Sequence, residues 1–256
     1  MVSQFDFGAN WQSFSANQLG SEELDSAVNS LTELIGVDYI QNKSFLDIGC
    51  GSGIFALAAK KLGATKVLGI DLSQKSIAAS ESNAQRFNVS DVRFVCGSIL
   101  DPTIIFEQKY DLVYSWGVLH HTGKMWQAIE RAIDLTAQKG LLVIAIYNRH
   151  WTSPIWRAIK YLYNILPQVG KIIMLYIFWP IVYLAKLLVT KKNPQKKSRG
   201  MNFYYDLIDW LGGYPYEYAG PEQIIEFVTA NNFSLVKFLP AEVPTGCHQY
   251  VFQRQD

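Results

Sequence analysis

Short apolar segments alternate with helical patterns between residues 44 and 147, and this alternation constrains the fold more than any other feature. Apolar strands that alternate with helices form parallel sheets covered on both faces. We therefore predict a doubly wound, mostly parallel α/β sheet of seven strands with an antiparallel strand at one edge. The predicted strands lie at residues 44–49, 66–71, 92–96, 110–116, 140–147, 233–239 and 248–254.

A basic, aromatic-rich segment interrupts the alternation after the fifth strand. Residues 149–205 contain ten Lys or Arg residues and no Asp or Glu, whereas the rest of the chain carries 13 basic and 22 acidic residues. Helical spacing over 152–167 and a run of 14 uncharged apolar residues at 172–185 predict a helical insertion. Because that run is shorter than the roughly 20 residues that cross a bilayer and contains Pro180, we do not expect it to span a membrane.

Composition argues against several other classes of protein. The net charge of +1 gives no reason to expect a nucleic-acid partner. The three cysteines, Cys50, Cys96 and Cys247, are widely separated and form no CxxC pair, so neither a disulfide framework nor a zinc site is expected. The first residues lack the basic and apolar regions of a signal peptide. We therefore expect a cytoplasmic protein and leave membrane association open.

A glycine-rich turn follows the first predicted strand, in the sequence LDIGCGSG. Gly49, Gly51 and Gly53 lack Cβ atoms and so permit a tight turn and close approach of the backbone to a ligand. Asp71 ends the second strand, where a carboxylate can accept both hydroxyls of a ribose. The GxGxG spacing differs from the GxGxxG of dinucleotide-binding proteins, and Asp47 suits an ammonium group better than a pyrophosphate. These features favour a ligand that is a nucleoside at one end and an amino acid at the other.

This turn resembles motif I of class I S-adenosylmethionine-dependent methyltransferases. The likeness extends to Asp71, to GSILD (97–101) after the third strand and to YDLVYSWGVLHH (110–121) at the fourth. It covers residues 45–147 and 222–254, which is most of the chain. The resemblance implies a Rossmann-like methyltransferase fold, S-adenosylmethionine (SAM) as the methyl donor and S-adenosylhomocysteine (SAH) as the product.

By this resemblance, one group of residues surrounds the cofactor. The glycines border its methionine and ribose, the first aspartate lies near its amino group, and the second holds its ribose hydroxyls. The residues that follow the second and third strands are expected beside the adenine, and the end of the fourth strand beside the methionine. The implied cofactor residues are Asp47, Gly49, Gly51, Gly53, Asp71, Leu72, Ser98, Ile99, Ser115, Trp116 and Trp11.

Two further stretches resemble one subgroup of small-molecule methyltransferases. The amino terminus, FDFGANWQSF (5–14), matches an F.FG.NW..F pattern, and its aromatic residues Phe5, Phe7 and Trp11 either close over the cofactor or pack in the core. Residues 198–224 match a second pattern, RGM…YD..DW.GGYP.E. The aspartates of this second pattern either face the acceptor or form a buried ion pair with its arginine.

Residues beyond the cofactor are candidates for the transfer itself. His120 and His121 end the fourth-strand motif, and one of them is either the general base for a hydroxyl acceptor or a structural residue. Asp206 and Asp209 share a helical face and can bind an amine or hydroxyl of the acceptor. A metal is not expected there, because no histidine is adjacent to them in the sequence. The candidate acceptor-binding residues are Tyr147, Asn148, Arg199, Tyr205, Asp206, Asp209, Tyr214 and Tyr216.

The expected organisation has three parts. Residues 1–43 form an amino-terminal helical lid, residues 44–148 and 206–256 form the SAM-binding domain, and residues 149–205 form a basic helical insertion over the acceptor. Partner or homodimer contact, membrane-surface docking and nucleic-acid binding are the alternatives for the insertion. We expect methyl transfer from SAM to an oxygen or nitrogen of a small-molecule acceptor. The alternatives are a membrane-proximal methylase of a lipid or quinone, or a non-catalytic SAM-binding module.

Overall fold

The central feature of the computed structural model is one seven-stranded sheet. The structure describes residues 5–8, 19–104, 106, 108–191, 193 and 203–256. Its strands are β1 (Phe45–Ile48), β2 (Val67–Asp71), β3 (Val92–Cys96), β4 (Tyr110–Trp116), β5 (Thr136–Tyr147), β6 (Phe233–Leu239) and β7 (Cys247–Arg254). They are ordered β3-β2-β1-β4-β5-β7-β6, and β7 runs antiparallel to both of its neighbours. The predicted doubly wound, mostly parallel sheet is confirmed, but its antiparallel strand β7 lies between β5 and β6 and not at the edge, where it was expected.

Helices cover both faces of this sheet and form the insertion. Apolar residues on the two faces make two separate clusters, and the central strand β1 sends Leu46 and Ile48 into one and Phe45 into the other. This alternation of side chains along the strand explains why every residue of β1 is buried. The helices are α1 (Ser21–Ile35), α2 (Ile54–Lys61), α3 (Gln74–Arg86), α4 (Met125–Leu135), α5 (Ser153–Ile165), α6 (Gln168–Thr190), α7 (Phe203–Gly212) and α8 (Pro221–Thr229).

The first helix covers the sheet, not the mouth of the site. It begins at Ser21 because the Glu23 side chain reaches back to accept a hydrogen bond from the Gly20 amide at 2.7 Å. Its apolar face, including Leu24 and Leu31, packs in the same cluster as α2. The helical part of the predicted lid is therefore part of the core layer.

The insertion contains two helices, α5 and α6, joined by a short turn. Within the described residues, one helix, α6, is long and apolar enough to cross a bilayer. Its mean hydropathy is 2.2 over the best 18-residue window. The length argument made from the 14-residue apolar run was wrong, because the 23-residue helix continues past Lys171 and Lys186. Lys186 is accommodated because it forms an ion pair with Asp206 of α7. The basic stretch that follows α6 in the sequence, residues 190–200, lies largely outside the described residues.

Candidate active site

A large cavity opens at the carboxyl ends of the parallel strands, where open α/β sheets bind their ligands. Its volume is about 1210 Å³, whereas typical small-molecule sites measure about 300–1,000 Å³. The turn after β1 and the ends of β2, β3 and β4 line one part of it. Helices α6 and α7 and the loop before β7 line the other. The cavity therefore has room for two ligands side by side.

The turn between β1 and α2 is shaped by glycine conformations and tied to β2. Gly49, Gly51 and Gly53 all have positive φ, and a Cβ on Gly49 would lie 2.4 Å from the Val118 side chain. Asp71 accepts hydrogen bonds from the Gly51 amide and from the Ser73 amide, each at 2.9 Å. A carboxylate has about four acceptor positions, so two remain for further donors. The hydrogen bond from Gly51 to Asp71 thus holds the turn against the end of β2.

Helix α3 supports this turn from beneath with polar side chains. Ser80 Oγ donates to the Gly51 carbonyl at 3.0 Å, and Asn83 Nδ2 donates to the Ser52 carbonyl at 2.9 Å. Sequence reasoning missed both residues. The signal was present, because Ser76, Ser80 and Asn83 stand at i, i+4 and i+7 on the buried face of an otherwise polar helix.

Asp47 is buried beneath the turn without a full set of partners. Its side chain lines the cavity, the residue is 3% exposed, and Oδ2 has no hydrogen bond within the described residues. Burial, and secondarily the charge of Asp71, raises the pKa of Asp47 to about 8. A cation in the cavity would relieve this cost, because an opposite charge favours the carboxylate form. The site therefore fits a ligand with an ammonium group.

Most of the other cofactor candidates also meet at the cavity. Leu72, Ser98, Ile99 and Trp116 line it, together with Asp47, Gly49, Gly51 and Asp71. Gly53 stands behind the turn against Ser80, and Ser115 is buried in the sheet, where its hydroxyl donates to the Ile48 carbonyl at 3.0 Å. Ser115 thus joins β4 to β1 and does not line the cavity. Trp11 lies outside the described residues.

The two histidines occupy different positions. His121 lines the cavity, whereas His120 is fully buried behind the wall and its Nδ1 accepts a hydrogen bond from the Tyr147 amide at 3.3 Å. His121 Nδ1 donates to the Pro215 carbonyl at 2.6 Å, since a carbonyl can only accept. That bond leaves Nε2 as the acceptor nitrogen of a neutral ring. Burial, and then the charge of Lys160, lowers the pKa of His121 to about 3.

Two consecutive glycines allow close packing around His121. A Cβ on Gly213 would lie 2.7 Å from His121 Cε1, and a Cβ on Gly212 would lie 2.2 Å from the Phe5 ring. Phe7 packs on the His121 ring with centroids 5.0 Å apart. Residues 5–8 line the cavity, and Phe5 is fixed by donating its amide to the Tyr214 carbonyl at 3.0 Å. The GG pair and the amino-terminal aromatic residues therefore form one structure.

The acceptor candidates divide into those that reach the cavity and those that do not. Tyr147, Asp206 and Asp209 line it. Asn148 does not line it and donates its side-chain amide to the Pro244 carbonyl at 2.9 Å. Tyr205, Tyr214 and Tyr216 do not line the cavity, and Arg199 lies outside the described residues. Within the described residues, no group of three His, Cys, Asp or Glu side chains has the arrangement of a metal site.

Asp206 forms an ion pair with Lys186, whereas Arg199, the partner considered from the sequence, lies outside the described residues. The two side chains form a direct ion pair between α6 and α7. Both residues are part of the cavity wall. This pair links the insertion to the motif that contains the two aspartates.

Lys160 is a buried cation that sequence reasoning did not single out. It is 1% exposed, donates to the Trp210 carbonyl, and its Nζ lies 4.9 Å from the centre of the Tyr216 ring and 5.6 Å from that of Tyr147. Burial lowers its pKa to about 7, although Asp209 acts in the opposite direction. The residue sits on the apolar stripe of α5, where a lysine is unexpected, and that position was the available signal.

Comparison with known proteins identifies one family. A family model described as "Methyltransferase domain" matches residues 40–174, just over half of the chain. The ribosomal protein L11 methyltransferase of Colwellia psychrerythraea is 57% identical over 61 residues, which are 24% of this chain and 20% of that protein. The ubiquinone biosynthesis O-methyltransferase of Rhodopseudomonas palustris is 32% identical over 115 residues, 44% of each chain. The matches thus span less than half the length of these curated relatives.

Solved structures share the fold at low sequence identity. Magnesium protoporphyrin IX methyltransferase (ChlM) from Synechocystis PCC 6803, with bound SAH, superposes with a TM-score of 0.58 and 15% identity, covering 96% of this chain and 94% of that one. PKMT2 from Rickettsia typhi gives a TM-score of 0.60 at 15% identity, over 90% of this chain and 52% of that one.

Proposed function

The chain belongs to the methyltransferase domain family and is a SAM-dependent enzyme, and from this premise we propose that it methylates an oxygen or nitrogen of a small-molecule acceptor. One observation carries the proposal. A single cavity joins the glycine turn to an apolar chamber beneath α6 and α7, and that chamber contains a few polar groups. Small-molecule sites have this composition, because apolar walls hold the ligand and isolated polar groups orient it.

The cofactor half of the cavity fits SAM. The Asp47 carboxylate is proposed to face the ammonium group, and the two acceptor positions left on Asp71 are proposed for the ribose hydroxyls. Leu72, Ser98 and Ile99 are proposed beside the adenine. Bound SAM supplies a methyl group already activated by its sulfonium charge. The protein therefore has to hold the acceptor in line with the S–CH₃ bond and keep water out.

His121 is proposed to orient the acceptor hydroxyl or amine. Its neutral Nε2 can accept a hydrogen bond, and the Pro215 carbonyl and the Phe7 ring fix the imidazole. Its lowered pKa makes it a weak proton acceptor, since an efficient general base has a pKa near the working pH. A positioning role therefore agrees with the geometry of His121 better than the general-base role, which the sequence left open for either histidine, and His120 lies behind the wall.

The insertion is proposed as the acceptor lid of the enzyme. Residues 149–205 would form this lid, and residues 44–148 and 206–256 would form the SAM-binding domain. Ile181, Val182, Ala185 and Lys186 of α6 are part of the cavity wall, and Asp206 and Asp209 of α7 face them. The RGM…YD..DW.GGYP.E pattern is proposed to mark a subgroup that builds its acceptor chamber in this way.

A lipid or quinone acceptor is the second candidate function. The apolar exterior of α6 next to the chamber favours it, and one relative is by name a ubiquinone biosynthesis O-methyltransferase. The L11 methyltransferase match favours a protein acceptor less, because it covers 24% of this chain. Product formation with any acceptor would eliminate a non-catalytic SAM-binding module.

The test is to follow a radiolabelled methyl group from SAM into a cell extract separated into organic-soluble small molecules and protein. We expect label in the small-molecule fraction, and less of it with the Asp209→Asn variant, because that carboxylate lines the chamber. The Asp134→Asn variant, changed on the exposed side of α4, should match the wild type. Label confined to the protein fraction would contradict a small-molecule acceptor.

A further inference from the structure

The α5–α6 hairpin carries most of the exposed large apolar side chains in the described part of the chain. Helix α6 buries Met174 and Val182 on one side, and residues directly opposite them face outward. The exposed apolar residues on the two helices are Ile155, Tyr161, Leu162, Ile165, Val169, Ile172, Ile173, Tyr176, Ile177, Trp179, Ile181, Leu184, Leu187, Leu188 and Val189. Contiguous apolar patches of this kind mark binding surfaces for membranes or proteins.

The orientation of α6 indicates that it lies along a surface and does not cross one. Its inner face packs against Phe203 and Leu207 of α7, in a cluster that also contains Tyr163 of α5. Lys186, in the carboxyl-terminal part of the helix, is paired with Asp206. A spanning helix would be surrounded by lipid, whereas one side of α6 is packed against the rest of the domain and only the other side is free.

The charge of the segment identifies the kind of surface. Residues 149–205 carry ten basic and no acidic residues, and five of the basic ones follow directly after α6 in the sequence, within 191–199. Apolar helices flanked by cations bind anionic lipid headgroups. A second copy of the chain is disfavoured, because a two-fold interface would place two acid-free, basic surfaces against each other. The apolar exterior also gives nucleic acid little to contact.

The cavity reaches this same surface. Ile181 and Val189 line the cavity and are each 52% exposed, so the wall of the chamber and the apolar exterior meet along α6. We propose that the α5–α6 hairpin docks the protein onto the surface of an anionic lipid bilayer, with the exposed face of α6 in the headgroup region. A lipophilic acceptor could then enter the chamber from the bilayer, and this last step rests on the proposed function.

The experiment measures sedimentation of the full chain with vesicles, in the absence of SAM and of any acceptor. Phosphatidylcholine vesicles containing phosphatidylglycerol are compared with pure phosphatidylcholine, at low and at high salt. We expect binding to the anionic vesicles, at least about tenfold tighter than to neutral ones and weakened by salt. Absence of binding to anionic vesicles would overturn the proposal, and it would leave the methyltransferase assignment untouched because no turnover is measured.

A matched pair of variants locates the binding surface. The triple variant Ile173→Glu, Ile177→Glu and Leu188→Glu changes the centre of the exposed face of α6 and should reduce vesicle binding at least about tenfold. Its SAM affinity, measured by calorimetry, should equal that of the wild type and so report correct folding. The control is Tyr39→Glu with Val236→Glu, two exposed apolar residues outside the hairpin, and it should bind vesicles normally. The proposal would be overturned if the triple variant bound vesicles as well as the wild type. It would also be overturned if the wild type were a dimer that did not bind vesicles and that the same substitutions dissociated.

Discussion

At the scale of single residues, the proposed role of Asp47 predicts that cofactor binding is coupled to a proton. Burial raises the pKa of Asp47 to about 8, so at about pH 6 to 7 the carboxyl holds a proton. An ammonium group beside it would favour the carboxylate and lower this pKa. Binding should then release a proton, and the affinity for SAM should rise as the pH increases towards about 8.

Calorimetry in two buffers of different ionisation enthalpy measures this proton directly. The Asp47→Asn variant should bind SAM more weakly and release no proton, and it also controls for titration of the cofactor's own amino group. An affinity that is flat between about pH 6 and 7.5 in the wild type would contradict the assigned role of Asp47.

Lys160 makes a second prediction, which concerns the stability of the protein. Its pKa is lowered from 10.5 to about 7 on folding, so between those values the unfolded chain binds more protons than the folded one. The free energy of unfolding contributed by this group therefore increases as the pH rises from about 7 towards 10.5. Urea unfolding of the wild type and of Lys160→Met at pH 7 and pH 9 measures the effect. The wild type should gain stability relative to the variant at the higher pH, and equal changes in both would show that the lysine stays charged.

At the scale of elements, sequence patterns predicted the strands well and the insertion less well. Strand β1 is buried on both sides, and its apolar sequence indicates this directly. The full length of α6 was not predicted, because the helix continues past the charged residue Lys186. Asp206 on another helix compensates that charge, and a local sequence pattern cannot reveal such a pair. The GGYP sequence stands in the subgroup pattern quoted from the sequence, but its contact with His121 joins distant parts of the chain and could not be predicted from that pattern.

Gly213 allows that contact, so its substitution is an element-scale prediction. In Gly213→Ala the new Cβ would have to displace the His121 ring, 2.7 Å away, or the Asp209 carbonyl, 2.8 Å away. A displacement of the ring should lower the rate of methyl transfer by about tenfold or more while SAM affinity stays unchanged. The control is Gly220→Ala, whose Cβ would meet only the ends of two side chains, Glu222 at 3.3 Å and Gln223 at 3.7 Å. Equal turnover in the two variants would argue against a role for His121 in holding the acceptor.

At the scale of the whole molecule, the fold and the cofactor half were predictable because their determinants are local. The glycine turn, Asp47 and Asp71 lie at the ends of adjacent strands, so a strand–turn–helix pattern brings them together. The acceptor half combines Phe7, His121 and Asp209 from three separate regions of the chain. Their meeting depends on tertiary packing, which is why Asn148 and Tyr216 were expected in the cavity and lie outside it.

Because the cofactor site joins the ends of several strands, its occupancy should stabilise the entire domain. SAH at 100 times its dissociation constant should add about 2.7 kcal/mol to the free energy of unfolding. For a chain of this size the melting temperature should rise by about 5–10 °C. Asp71→Ala removes the contacts that hold the Gly51 and Ser73 amides and the proposed ribose acceptor. At the same SAH concentration its shift should therefore be small, with an affinity at least about tenfold weaker.

Asp111→Ala is the matched control, because Asp111 also accepts a backbone amide, that of Ser44 at 2.8 Å, but lies outside the cavity. Its melting temperature without ligand should fall, since it loses the hydrogen bonds to Ser44, yet SAH should raise it as much as in the wild type. Differential scanning calorimetry measures the melting temperature of each of the two variants with and without SAH. A full SAH shift in Asp71→Ala would mean that the carboxylate ending β2 organises the turn without holding the cofactor.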